Sequence, residues 1–112
     1  MIVTTVKASR STIKDSIKYS IKVLGVKCNL NFIDTEFITS MYSMFYSSKF
    51  NGDISNWNVG NVTDMYSMFC GSEFNGNISS WNVENVTDMS FMFDGCPLEN
   101  KKEFQPRLKR NK

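Results

Sequence analysis

At 112 residues and 12.9 kDa the chain is one small domain or a stretch of a repeat array, because single domains run to about 100–200 residues. Hydrophobic residues make up 41% and aromatics 13%, too many for a disordered chain. The formal charge is +2 with no His, which excludes His-based triads and His-containing zinc sets.

The small net charge hides a segregation. Residues 1–27 hold six Lys/Arg against Asp15, or +5; residues 28–100 hold Lys49 against nine acids, or −8; residues 101–112 hold six Lys/Arg against Glu103, or +5. Three regions follow: an N-terminal segment 1–27, a repeat region 28–100 and a basic tail 101–112. Opposed blocks of this kind favour weak, salt-sensitive self-association.

Taken in chain order, the first predicted element is a helix over residues 11–24. Ile13, Ile17, Ile21 and Leu24 form one apolar stripe, Ser11 or Thr12 can cap it, Lys14, Lys18 and Lys22 lie on another face, and Gly25 is the stop. Its expected role is to cover the first end of the repeats. The same stretch is too short and too interrupted by Lys for a membrane span or a signal-peptide core, and Lys27 beside Cys28 does not suit a lipid-attachment site. The expected location is cytoplasmic by default. Cys28, Cys70 and Cys96 are odd in number and without CxxC spacing, so free thiols are expected rather than disulfides or a metal knuckle.

Residues 41–64 then align without a gap on residues 65–88, with 18 of 24 positions identical, and a third, shorter copy begins at Met89. A degraded half copy precedes them, where Leu30, Ile33 and Ile38 stand ahead of Met41 as Ile54, Trp57 and Val62 stand ahead of Met65. The positions that differ are mostly polar or small: Tyr46/Cys70, Ser47/Gly71, Lys49/Glu73, Asp53/Asn77, Asn56/Ser80 and Gly60/Glu84. They are expected on the outer face. The matching apolar positions are the expected core, and equivalent residues are expected to stack as ladders: Phe45 on Phe69 on Phe93, Trp57 on Trp81, Met44 on Met68 on Met92.

Within a copy, Met65, Met68 and Phe69 at i, i+3, i+4 behind Thr63-Asp64 and before Gly71 predict a turn or two of helix. Trp57 and Val59 alternating with Asn56, Asn58 and Gly60 predict a short strand. The predicted fold class is therefore α/β: a short leucine-rich-repeat-like solenoid of about three 24-residue turns, each a short strand plus a short helix, with an N-terminal amphipathic capping helix.

The string Phe50-Asn-Gly-Asp-Ile-Ser-Asn-Trp57-Asn-Val59-Gly-Asn-Val62-Thr-Asp-Met65-Tyr-Ser-Met68-Phe69 resembles the BspA-like leucine-rich-repeat surface proteins, whose signature is W-x-V-x-x-V-x-x-M-x-x-M-F with an F-N-x-x-I stretch. The resemblance covers about 70 of the 112 residues. It implies a leucine-rich-repeat-like solenoid and, for the family at large, adhesion or protein binding at the cell surface.

Catalysis is not expected, because no Gly-rich phosphate loop, no nucleophile with a base and no placed carboxylate pair is present. No cofactor is expected and no metal: Asn51, Asp53 and Ser55 space oxygens like the start of a calcium loop, but Asp53 becomes Asn77 in the next copy and Val62 occupies the position of the closing Glu. Nucleic acid is not an expected partner, the basic tail reading as a solvated end. The expectation is a non-enzymatic module that binds a protein partner on the lateral face of the repeats, with Asp53, Glu73 and Glu84 as the expected contact residues. The alternatives are a structural spacer or fragment of a longer array without its own ligand, and a carbohydrate-binding module in which Trp57 and Trp81 stack on sugar rings.

Overall fold

The structure is a computed structural model that describes residues 6–7 and 12–107. Residues 1–5, 8–11 and 108–112, with Ser11 and the last part of the basic tail among them, lie outside the described residues. Among the described residues one α-helix, α1, spans Ile13–Leu24. Its Ile13 and Ile17 are buried, Ile21 packs partly against the core, and Leu24, expected on the same stripe, is exposed. The helix stops where Gly25 takes φ 97° and donates its N–H to the Ile21 carbonyl at 2.8 Å.

The predicted α/β solenoid of strand-plus-helix turns is not what the chain forms. Among the described residues the regular strands are one parallel pair of two residues each, β1 (Val6–Lys7) with β2 (Ile33–Asp34). None of the copies contains a helix at the Met-x-x-Met-Phe stretch or a strand at Trp-x-Val; the two 3₁₀ turns, Pro97–Asn100 and Lys102–Phe104, follow the last copy. The Cα radius of gyration is 13.4 Å, close to the ~13 Å of a compact domain of about this length. The fold implied by the family resemblance is corrected with it.

The physical reason lies in the backbone. Ser43 and Ser67 take φ 50° and 54°, and Phe91, the equivalent residue of the third copy, 59°; Ser47, Gly71 and Gly95 four residues on take 55°, 69° and 73°. A left-handed residue every fourth position cannot continue a right-handed helix, but it is what the second central position of a type II turn requires. Successive tight turns therefore replace the helix. Met44, Tyr46 and Ser48 donate to the carbonyls of Met41, Ser43 and Phe45, at 3.0–3.2 Å.

The intervening N–H groups point the other way, to the next copy. Met41, Ser43, Phe45 and Ser47 donate to the carbonyls of Asp64, Tyr66, Met68 and Cys70, and Met65, Ser67, Phe69 and Gly71 donate to those of Asp88, Ser90, Met92 and Asp94, all at 2.8–2.9 Å. Local turns and links between copies thus alternate along one run, which satisfies its backbone donors without a regular element.

Corners elsewhere are made by side chains that accept the N–H two residues on, the Asx and Ser turns that compete with helix and strand. Asp64 and Asp88 do this for Tyr66 and Ser90, Asn58 and Asn82 for Gly60 and Glu84, and Asp53 and Asn77 for Ser55 and Ser79. Asn58 and Asn82 are the residues that make Trp-Asn-Val look like alternation. They are turn formers here. At Gly52 a side chain is impossible for a different reason: an added Cβ would stand 1.8 Å from the Cys28 carbonyl oxygen, on the neighbouring segment.

Inside this frame one apolar core runs from Ile13 to Leu98. Aromatic rings of successive copies lie nearly parallel in it, Phe45 to Phe69 to Phe93 with centroids 5.4 and 5.9 Å apart, Phe50 to Phe74 at 6.0 Å, and Trp57 to Trp81 at 6.4 Å. The segment after the third copy folds back on the second: Ile78 donates its N–H to the Phe104 carbonyl at 3.0 Å and Lys101 Nζ donates to Asn75 Oδ1 at 2.9 Å.

Candidate functional site

The turns decide which side chains face outward. In each copy the residue after the first Met of the Met-x-x-Met-Phe run sits at the crest of a turn, and in the first two copies it is Tyr. Tyr42 and Tyr66 stack with centroids 5.4 Å apart and an interplanar angle of 15°. In the third copy the order is reversed to Ser90-Phe91, and the Phe91 ring meets Tyr66 edge-on at 5.8 Å. Tyr42 and Phe91 are 52% and 59% exposed, and Tyr46, on the adjacent turn, is 58% exposed.

These four aromatics border an open groove of about 480 Å³, with Ser43, Ser67, Cys70 and Asp94 completing its walls. Phe91 reaches this position from a left-handed backbone, a conformation that costs a non-glycine residue about 1–2 kcal/mol. Cys70 is half-buried in the groove, whereas Cys28 and Cys96 are buried. Burial pushes the Cys28 thiol up from its ordinary range, partly offset by its own backbone N–H. Cys96 Sγ is engaged with the Phe74 carbonyl at 3.2 Å.

The three acids singled out from the sequence are not brought to one place. Asp53 lines a different hollow with Gly52, Ile54, Ser55, Phe74, Gly76 and Asn77. Its Oδ1 accepts the Ser55 N–H at 2.9 Å and the Ser55 hydroxyl at 2.7 Å; these bonds, with a further one from the Asn31 side chain, hold its carboxyl below the ordinary carboxylate range. Glu73 and Glu84 are exposed, with their backbone N–H groups bound to the Ser48 carbonyl and to Asn82 Oδ1. The ladder residues are elsewhere again: Phe45, Phe69, Met68 and Met92 are buried, and Met44 and Phe93 are half-buried near the two ends.

Trp57 and Trp81 are each 4% exposed, and their indole N–H groups donate to the carbonyls of Leu30 and Ile54 at 2.9 and 3.1 Å. Neither ring face is open to a sugar. The calcium-like oxygens are turned to the backbone as well, Asn51 Oδ1 accepting the Asn75 N–H at 2.8 Å and Asp53 accepting from Ser55. No group of three His, Cys, Asp or Glu that could hold a metal occurs among the described residues. No helix of the described residues is long and apolar enough to cross a membrane.

Reading for core residues missed the aromatic row, because Tyr42 and Tyr66 fall outside the set that faces inward. The signal was present nonetheless: an identical aromatic at the same position of two copies, and a third copy that has Ser90-Phe91 where the others have Tyr-Ser. The model of one family, described as Mycoplasma protein of unknown function, DUF285, matches residues 15–107. No curated protein and no solved structure matches the chain.

Proposed function

Because the chain belongs to the DUF285 family, whose function is unknown, we propose one from the geometry: a non-enzymatic module that binds a protein partner through the aromatic row Tyr42, Tyr66 and Phe91 with Tyr46 beside it. The observation that carries this reading is the placement of Phe91. An exposed aromatic kept on a strained left-handed residue, where the other two copies have Ser, contributes nothing to the core that would offset its strain. Contact with a partner would.

Tyr and Phe are enriched at protein interfaces, and Tyr is among the residues that carry most of the binding energy there. A partner segment laying apolar or basic side chains across the rings would use both the ring faces and the carboxylate of Asp94. The resemblance of the repeat string to BspA-like surface proteins supports binding of the same general kind.

The test compares two sets of substitutions in a capture experiment on envelope and soluble fractions. Tyr42→Ser, Tyr66→Ser and Phe91→Ser together should abolish capture of the partner, while Asp53→Lys, Glu73→Lys and Glu84→Lys together should leave it. Loss only with the second set moves the contact surface to the acids. A wild-type protein that captures nothing leaves a structural spacer, and capture by immobilised glycans in place of protein makes the row a carbohydrate surface.

A further inference from the structure

Along the Met-x-x-Met-Phe runs the links between copies stop at the first and at the third copy, and the two ends of this row are complementary. At the first end the carbonyls of Ser40, Tyr42, Met44 and Tyr46 accept no hydrogen bond from another described residue, although the equivalent carbonyls of the second and third copies all do. At the other end the N–H groups of Met89, Phe91 and Phe93 find no acceptor among the described residues, although their equivalents in the first two copies all find one. The fourth donor of that row, Gly95, is met by Glu99 Oε1 at 3.1 Å. Among the described residues the runs therefore end in a row of unmet acceptors on one side and a row of unmet donors on the other, both at alternate residues.

Each row borders an open hollow. The acceptor row opens onto about 330 Å³ lined by Lys14, Ser40, Tyr42 and Met44. The donor row opens onto about 360 Å³ whose walls include Phe93, Asp94, Glu99, Lys102 and Pro106. We propose that the donor row of one molecule receives the acceptor row of a second copy of this chain, head to tail, with Met89, Phe91 and Phe93 donating to the carbonyls of Ser40, Tyr42 and Met44 of that second copy.

Register and charge argue for this occupant. The acceptor row is the one the donors already meet twice within the chain, and it carries the same bend, with φ 50° at Ser43 facing φ 59° at Phe91. The wall of the acceptor hollow carries Lys14, and that of the donor hollow carries Asp94 and Glu99 against Lys102, so the two facing walls are of opposite sign, although the segment behind the donor wall adds Lys101 and Arg107 against Glu103.

Such a contact is heterologous and does not close on itself, so it extends with concentration. The transverse extents of 25 and 22 Å limit the end face to roughly 400 Å², about half of the ~800 Å² per partner of a stable interface. Association is accordingly weak, and the test must reach millimolar protein.

Sedimentation of the full chain should show a weight-average mass that rises with concentration without a plateau, and more steeply at low salt. Over the same range the amide resonances of Met89, Phe91 and Phe93 should shift and gain protection from exchange. Met44→Lys closes the acceptor end and Phe93→Lys the donor end, so each variant alone should stay monomeric, while their equimolar mixture forms a dimer and nothing larger. Thermal melts establish that both variants fold, and the wild-type amide shifts stand independently of them. A wild-type mass that stays monomeric at millimolar concentration overturns the proposal, as does a plateau at two, or shifts confined to the amides of Tyr46, Ser67 and Cys70 on the lateral groove.

Discussion

The runs Met65–Ser72 and Met89–Cys96 have the same turns, yet one is interior and largely buried and the other terminal and largely open. In the interior run Met65, Ser67, Phe69 and Gly71 donate to a following copy, and the ring of Phe69 is stacked on both sides, by Phe45 and Phe93, with Phe74 at 4.6 Å and Trp81 at 6.3 Å. In the terminal run the ring of Phe93 stacks on Phe69 alone among these neighbours and is half-buried, and its left-handed position holds Phe91 in place of Ser67. The same backbone therefore serves packing in one copy and leaves apolar surface and free donors in the next. Position, more than local sequence, sets what each ring contributes.

The largest test of that difference is a pair of truncations. Phe69→Ala should cost about 3–5 kcal/mol, the usual range for a buried Phe, because rings on both sides lose their partner and the site has no solvent to fill it. Phe93→Ala should cost less than half as much, since one face of the ring is already open. Chemical denaturation of both variants settles it: equal losses would mean that the terminal copy is as tightly packed as the interior one.

A smaller effect of opposite sign is expected at Phe91. Phe91→Gly removes a left-handed non-glycine residue and an exposed ring, so the protein should gain about 1 kcal/mol while losing the partner contact proposed above. Glycine at Ser67, whose short polar side chain is buried, brings no comparable relief. If Phe91→Gly lowers the melting temperature as much as Phe93→Ala does, the ring belongs to the core and its strain is repaid there.

The 24-residue period is legible in the sequence, and it reappears in the hydrogen bonds that join each alternate residue to the carbonyl 23 positions on. So is α1, whose Ile13, Ile17 and Ile21 have helical spacing and no competing turn residues. The interior of each copy was not legible in the same way. Met65, Met68 and Phe69 can share one side either as a helical turn or as a chain of tight turns, and the choice falls to Ser67, which takes positive φ, and to Asp64, whose Oδ1 holds the Tyr66 N–H at 3.0 Å. Spacing alone does not distinguish the two. The aromatic row shows the same limit from the other side, because Phe91 meets Tyr66 from the left-handed position that Ser43 and Ser67 occupy in the first two copies.

The smallest expected effect concerns the acid that starts the terminal run. The Asp88 carboxyl is held below the ordinary carboxylate range, first by the Ser90 backbone N–H and then by the Ser90 hydroxyl. A carboxyl with a lowered folded-state value stabilises the fold at pH above its unfolded value, near 3.9, and loses that contribution as pH falls through the folded value. Asp88→Asn keeps an oxygen for the Ser90 N–H, as Asn77 does for Ser79, but removes the charge. Its melting temperature at pH 6 should fall slightly, and its decline between pH 4 and pH 2 should be flatter than that of the wild type. Because Asp88 is only half-buried and open to solvent, the difference should also shrink as salt is added. Superimposable wild-type and variant curves across this window would show that the terminal turn is set by the links its backbone carbonyls make to the Met65–Ser72 run, with the carboxylate contributing nothing of its own.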